Sequence, residues 1–93
     1  MEIIYKRNAQ KDLAEINKYL SQFYPSTLAN FYQELREHMD TLSSMPYIGV
    51  QYHSGYRKLS FAKYLVFYKV DKTKDTINVY RIVHGARDTE HLL

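Results

Sequence analysis

The sequence predicts a small α+β domain with the element order β-α-α-β-β-β, an antiparallel sheet packed on a helix hairpin. Three observations predict it. A short run of β-formers opens the chain, two stretches with apolar residues at helical spacing follow, and from Tyr56 onward the apolar period falls to two. The chain of 93 residues holds enough material for one core of helices against a sheet, so residues 1–93 are read as a single domain.

The opening EIIYK, residues 2–6, is rich in β-formers and reads as the first strand. Asn8 is placed to cap the helix that follows, with Asp12 near its start to complement the helix dipole. Ala9, Leu13, Ile16, Leu20 and Phe23 are spaced alternately by four and three residues and fall on one stripe. A second stripe runs through Leu28, Phe31, Leu35, Met39 and Leu42. Between the two, Pro25 ends the first helix and suits the first turn of the second. So short a link predicts a helix hairpin over residues 9–42. Pro46 and Gly49 then break the second helix.

The segments YRKLSF, KYLVFYKV and TINVYRIV alternate with period two and are separated by Ala62-Lys63 and by the polar turn DKTKD, which predicts a three-stranded antiparallel meander. One face packs on the hairpin and the other stays largely open. On the last strand strict alternation puts Ile77, Val79, Arg81 and Val83 on one side and Asn78, Tyr80, Ile82 and His84 on the other, unless the strand bulges.

Several function classes are excluded or disfavoured. The chain has no cysteine, so it has no disulfide, thiolate metal site or cysteine nucleophile. Its longest uninterrupted apolar run, Tyr64 to Tyr68, is far shorter than a membrane span, and MEIIYKRNAQ holds no apolar stretch of signal-peptide length. A cytoplasmic protein with no membrane partner is expected. His38, His53, His84 and His91 form no i,i+4 pair, no HExxH and no cluster with carboxylates, so neither a metal nor a cofactor is expected. There is also no glycine-rich phosphate loop and no GxSxG elbow.

Charge is distributed unevenly. Residues 1–55 carry five lysines and arginines against six carboxylates, whereas residues 56–93 carry eight against four. The basic surplus therefore belongs to the sheet-forming half and suits nucleic acid or an acidic protein. Most of the ten tyrosines alternate with aliphatics or flank the helical stripes, as packing and partner contacts require. Tyr56 and Tyr80 are the candidates for stacking on a base.

Chemistry concentrates near RIVHGARD. Metal-free RNA cleavage needs a base for the 2′-hydroxyl, cations on the scissile phosphate and an acid for the leaving oxygen. Arg57, Arg81 and Arg87 can supply the cations and His84 one of the outer roles, while the other outer role has no evident occupant. The competing explanation is structural: Arg57 and Arg81 fold into ion pairs at strand edges and His84-Gly85 turns the chain.

The element order, the tract YRKLSFAKYLVFYKV and the closing RIVHGARD resemble the ParE branch of the RelE/ParE toxins of bacterial toxin–antitoxin modules, over nearly the whole chain. The resemblance implies a toxin that halts growth when free and is neutralised by a cognate antitoxin encoded beside it. ParE-type members are described as inhibitors of DNA gyrase, and RelE-type members as ribosome-dependent mRNA endonucleases. Arg57 matches the arginine that opens the family's second strand. Arg81, His84 and Arg87 match the region where the ribonuclease members place part of their active site. Two departures favour the gyrase branch: YIGVQYHSG before that strand has no lysine or carboxylate to act as base, and the tail ends in EHLL with no tyrosine after the arginine. Ribosome-dependent mRNA cleavage is the alternative, and a non-toxic protein-binding module the second alternative. The antitoxin is expected to be an acidic segment that folds on binding, with an amphipathic helix against the hairpin and a strand or coil along the basic sheet. Its expected contacts are Tyr19, Tyr24, Tyr32, Lys63, Lys72 and Lys74, with the RIVHGARD segment left for the toxic surface.

Overall fold

The computed structural model describes residues 1–86 and Leu93. Strand β1 (Glu2–Tyr5) leads into helix α1 (Arg7–Leu20) and then α2 (Pro25–Ser44). A two-residue β2 (Val50–Gln51), a single 3₁₀ turn (His53–Gly55) and strands β3 (Arg57–Phe61), β4 (Tyr64–Asp71) and β5 (Thr76–His84) complete the order. The strands form one sheet ordered β1-β5-β4-β3-β2. The meander β3-β4-β5 is antiparallel, as expected, and β1 adds to it in parallel alongside β5. Strand β2, which pairs Val50 with Lys58 and Gln51 with Arg57, was not expected, because two residues are too few for alternation to register.

Pro25 occupies the first turn of α2, where its missing N–H costs nothing. The expected cap at Asn8 is not the observed one. Lys6 takes the N-cap position and its side chain makes no capping bond. The reason lies in the strand: the Lys6 N–H still donates to the Val79 carbonyl at 2.8 Å, so the chain stays extended to Lys6 and turns helical at the next residue. At the other end α1 stops at Leu20, leaving Phe23 beyond the helix and half exposed.

The two stripes meet one face of the sheet. Ala9, Leu20, Phe31, Leu35, Met39 and Leu42 pack on Phe61, Val66, Tyr68, Ile77, Val79 and Ile82. The other face is less open than expected, because Phe67 is wholly buried there beneath the edge of Tyr52, ring centroids 5.2 Å apart. Tyr68 carries its hydroxyl into the interior, where the Gly49 N–H donates to it at 2.8 Å and fixes the loop ahead of β2. A Cβ on Gly49 would come within 2.5 Å of that hydroxyl and 3.0 Å of the Lys58 carbonyl, so this position has room only for glycine.

A bulge corrects the expected alternation on β5. Phe67 pairs with Arg81 while its neighbour Tyr68 pairs with Val79, leaving Tyr80 as the extra residue. Beyond it the facing is reversed: Ile82, not Arg81 or Val83, continues the core row begun by Ile77 and Val79. The bulge falls just past the end of β1, whose last pair is Tyr5 with Val79. There Asp12 of α1 takes over. Its carboxylate accepts from Arg81 Nε at 2.7 Å, from Arg81 Nη2 at 3.0 Å and from the Ile82 N–H at 2.9 Å. Asp12, expected to serve the helix dipole, is instead buried at 8% exposure and seals the edge of β5. The hydrogen bond that Arg81 donates to Asp12 holds the guanidinium pKa above its ordinary value, against the opposing effect of burial.

Three stability predictions follow from these contacts. Asp12→Ala removes the counter-ion and orphans the Ile82 N–H, and is expected to cost about 3 kcal/mol in urea unfolding. Asp12→Asn, which keeps an acceptor, should cost less. Gly49→Ala is expected to cost about 1–3 kcal/mol by overpacking against Tyr68, with part of the loss recovered in the Gly49→Ala/Tyr68→Phe double variant. Burial raises the pKa of Tyr5, Tyr64 and Tyr68 above the ordinary 10.0. Folding then favours their protonated forms, so their contribution is complete below pH 10 and falls away as the pH rises through the raised values. A melting temperature that stayed level well above pH 10 would contradict this.

Candidate functional site

The second half of α1, the α1–α2 link and the ends of β4 and β5 enclose a groove of about 610 Å³. Its helix wall exists because α1 runs out of chain before its apolar stripe does. Leu20 is buried, but Tyr19, Phe23 and Tyr24 project at 58%, 50% and 80% exposure. Aromatic side chains left this open beside one another mark a contact surface. Tyr19 and Phe23 hold each other edge to face at 5.3 Å, which orders the wall. The sheet wall is Tyr64, Ile82 and His84, with Lys63 at the rim. Tyr64 has its pKa raised first by burial and then by the nearby Tyr19. His84 meets the edge of Tyr64 at 5.9 Å, and its Nδ1 accepts the Ala86 N–H at 3.2 Å, so the ring fixes the turn that leaves β5. The Gly85 N–H donates to the Lys63 carbonyl at 2.7 Å and ties that turn to the β3–β4 hairpin.

The structure brings Tyr19, Tyr24, Lys63 and His84 into this one groove and places the other predicted residues elsewhere. Tyr32 sits outside it on α2, where its hydroxyl accepts from Asn17 Nδ2 at 2.9 Å and links the helices. Lys74 is exposed in the β4–β5 turn, its backbone N–H capped by Asp71 at 3.1 Å. Arg57 and Lys72 converge on the Tyr47 ring at 4.9 and 5.5 Å. Arg57 also donates to the carbonyls of Tyr47 and Gly49, at 3.2 and 2.8 Å, and so clamps the loop that Tyr68 anchors from inside. Arg81 is bound to Asp12. Arg57, Arg81 and His84 thus line three different depressions rather than one pocket. Arg87 lies outside the described residues.

On the open face of the sheet Tyr56 and Tyr80 meet edge to face at 5.4 Å and 89°, with Lys69 Nζ 4.3 Å from the first ring centre and 5.8 Å from the second. Lys58 lies 5.3 Å over Tyr52. Sequence reasoning missed Tyr47, Lys58 and Lys69, and it missed Phe23 and Tyr64 as groove walls. It also missed the true task of Asp12, although a signal existed: Asp12 is three residues after Ala9 and four before Ile16, on the apolar stripe itself, where a carboxylate must find a partner. Among the described residues no group of three histidines or carboxylates could hold a metal ion, and no helix is long and apolar enough to cross a membrane.

The family described as the ParE toxin of the type II toxin–antitoxin system parDE matches residues 3–89. No curated protein sequence matches. Among solved structures the chain is similar to the chromosomal ParDE toxin–antitoxin system of P. aeruginosa, with a TM-score of 0.72 and 21% identity over 90% of this chain and 95% of the other. It is also similar to the RelBE2 toxin–antitoxin complex of Mycobacterium tuberculosis, with a TM-score of 0.61 and 20% identity over 89% and 95% of the two chains. The isolated RelE toxin of E. coli gives a TM-score of 0.61 at 13% identity over 94% and 86%. At such identities the likeness to each structure is one of fold.

Proposed function

Because this chain belongs to the ParE toxins of type II toxin–antitoxin systems, we propose that it halts growth when free by binding DNA gyrase, and that a cognate antitoxin silences it by seating a helix in the groove between α1 and the ends of β4 and β5. The observation that carries the antitoxin half is the exposed row of Tyr19, Phe23 and Tyr24 over an apolar floor, a shape that suits the apolar face of an amphipathic helix. Lys63 and His84 at the sheet rim suit acidic residues flanking that helix. The ParDE and RelBE2 structures are themselves toxin–antitoxin assemblies, which supports a partner of this kind.

Gyrase is favoured over RNA cleavage by the state of Arg57 and Arg81, the two candidate arginines among the described residues. Clamping a scissile phosphate calls for guanidinium groups aimed at open space. Arg81 is committed to Asp12, and Arg57 to two backbone carbonyls and a tyrosine ring. The loop of residues 47–55 supplies neither lysine nor carboxylate as a base.

Controlled expression with separate readouts of chromosomal breaks and of mRNA 5′ ends tests the target, alongside supercoiling by purified gyrase. Breaks and lost supercoiling with intact mRNA are expected. New mRNA ends without breaks would overturn the gyrase reading. For the groove, the Tyr19→Ala/Phe23→Ala/Tyr24→Ala variant should lose at least about 30-fold in antitoxin affinity while remaining toxic. Unchanged affinity would move the antitoxin to another surface.

A further inference from the structure

We propose that the open face of the sheet binds single-stranded nucleic acid, DNA and RNA alike, stacking bases on Tyr56 and Tyr80 and holding phosphates with Lys69 and the cations around it. The aromatic pair is built by the fold: the β5 bulge at Tyr80 brings that ring against Tyr56, the residue that leads into β3. Tyr56 also borders two neighbouring depressions. One carries Lys6, Arg7 and Tyr80 and is also lined by Leu93, the other carries Tyr47 and Arg57, and no aspartate or glutamate lines either. Together they make a basic track with a tyrosine at its midpoint.

The cations on this face are held in reserve. Neither Lys58 nor Lys69 is ion-paired with a carboxylate among the described residues, and each rests on a tyrosine ring. A lysine over an accessible ring is held weakly, and its flexible stem lets the ammonium swing from ring to phosphate. A base stacked on the vacated ring face is the stronger contact, so the exchange is favourable. Duplexes hide the faces of their bases, which selects single strands. Neither rings nor ammonium groups distinguish ribose from deoxyribose, which makes the site indifferent to the sugar. An acidic peptide would satisfy the cations but leave the tyrosines without a role.

The test uses the full chain with fluorescein-labelled oligothymidylate of about 12 nucleotides, the matching oligouridylate and a duplex of equal length, read by anisotropy without gyrase, so its outcome is separate from that of the gyrase reading. Both single strands should bind within about threefold of each other and more tightly than the duplex, with affinity falling linearly on a log–log plot against salt. Tyr56→Leu/Tyr80→Leu should weaken binding at least about tenfold with the salt slope unchanged, and Lys58→Ala/Lys69→Ala should flatten the slope. Circular dichroism checks the fold, and if the leucine pair fails to fold the lysine pair carries the test. No binding, equal binding of duplex, binding of RNA alone, a slope untouched by the lysine variant, or equal displacement by polyglutamate would each overturn the proposal. So would undiminished binding by a folded leucine variant.

Discussion

The structure depends on how β5 is closed where β1 runs out. β5 is nine residues long and its parallel partner is four. Without a substitute, the backbone of residues 80–84 would present an unpaired edge in the middle of the fold, next to the core row. Asp12 is that substitute. A carboxylate with two oxygens can accept a backbone N–H and a two-pronged guanidinium at once, as it does with Ile82 and Arg81. Because Asp12 stands on α1, the same contact sets the helix against the sheet. The distance between α1 and the far end of β5, which is the width of the groove, follows from it.

The bulge at Tyr80 is the other half of that arrangement. An extra residue inserted at the end of β1 rotates the strand so that Arg81 reaches Asp12 and Ile82 returns to the core. It also leaves Tyr80 on the open side against Tyr56. One irregularity therefore serves two surfaces: the groove on the helix side, which ends in Ile82 and His84, and the basic aromatic face on the reverse.

Most of the fold could be read from the sequence because its signals are local. Two apolar stripes at helical spacing, Pro25 between them and three alternating segments each describe one element without reference to another. Local logic failed where a distant partner decides the outcome. Asn8 is a good cap on its own, but the bond from Lys6 to Val79, across the sheet, starts the helix earlier. Alternation placed Arg81 beside Ile77 and Val79, since nothing in TINVYRIV marks a bulge that exists to meet a carboxylate 69 positions away. The groove was half visible. Tyr19 and Tyr24 stand out as aromatics beside the stripe, whereas Tyr64 and Ile82 look like ordinary strand residues until the sheet is assembled.

The turn after β5 joins the two sides. Gly85 sits so close to the Lys63 carbonyl that a Cβ there would approach it to 3.2 Å, and its N–H bonds to that same oxygen. Lys63 and the turn after His84 are thus tied into one unit, and both residues line the groove. The antitoxin helix proposed to sit against Tyr19 and Phe23 would bear directly on this unit, within the segment RIVHGARD. Tyr56, Tyr80 and Lys69 lie beyond its reach on the reverse of the sheet. Occupation of the groove would therefore act first on the turn after β5 and leave the aromatic face uncovered, so the two proposed surfaces can be filled independently.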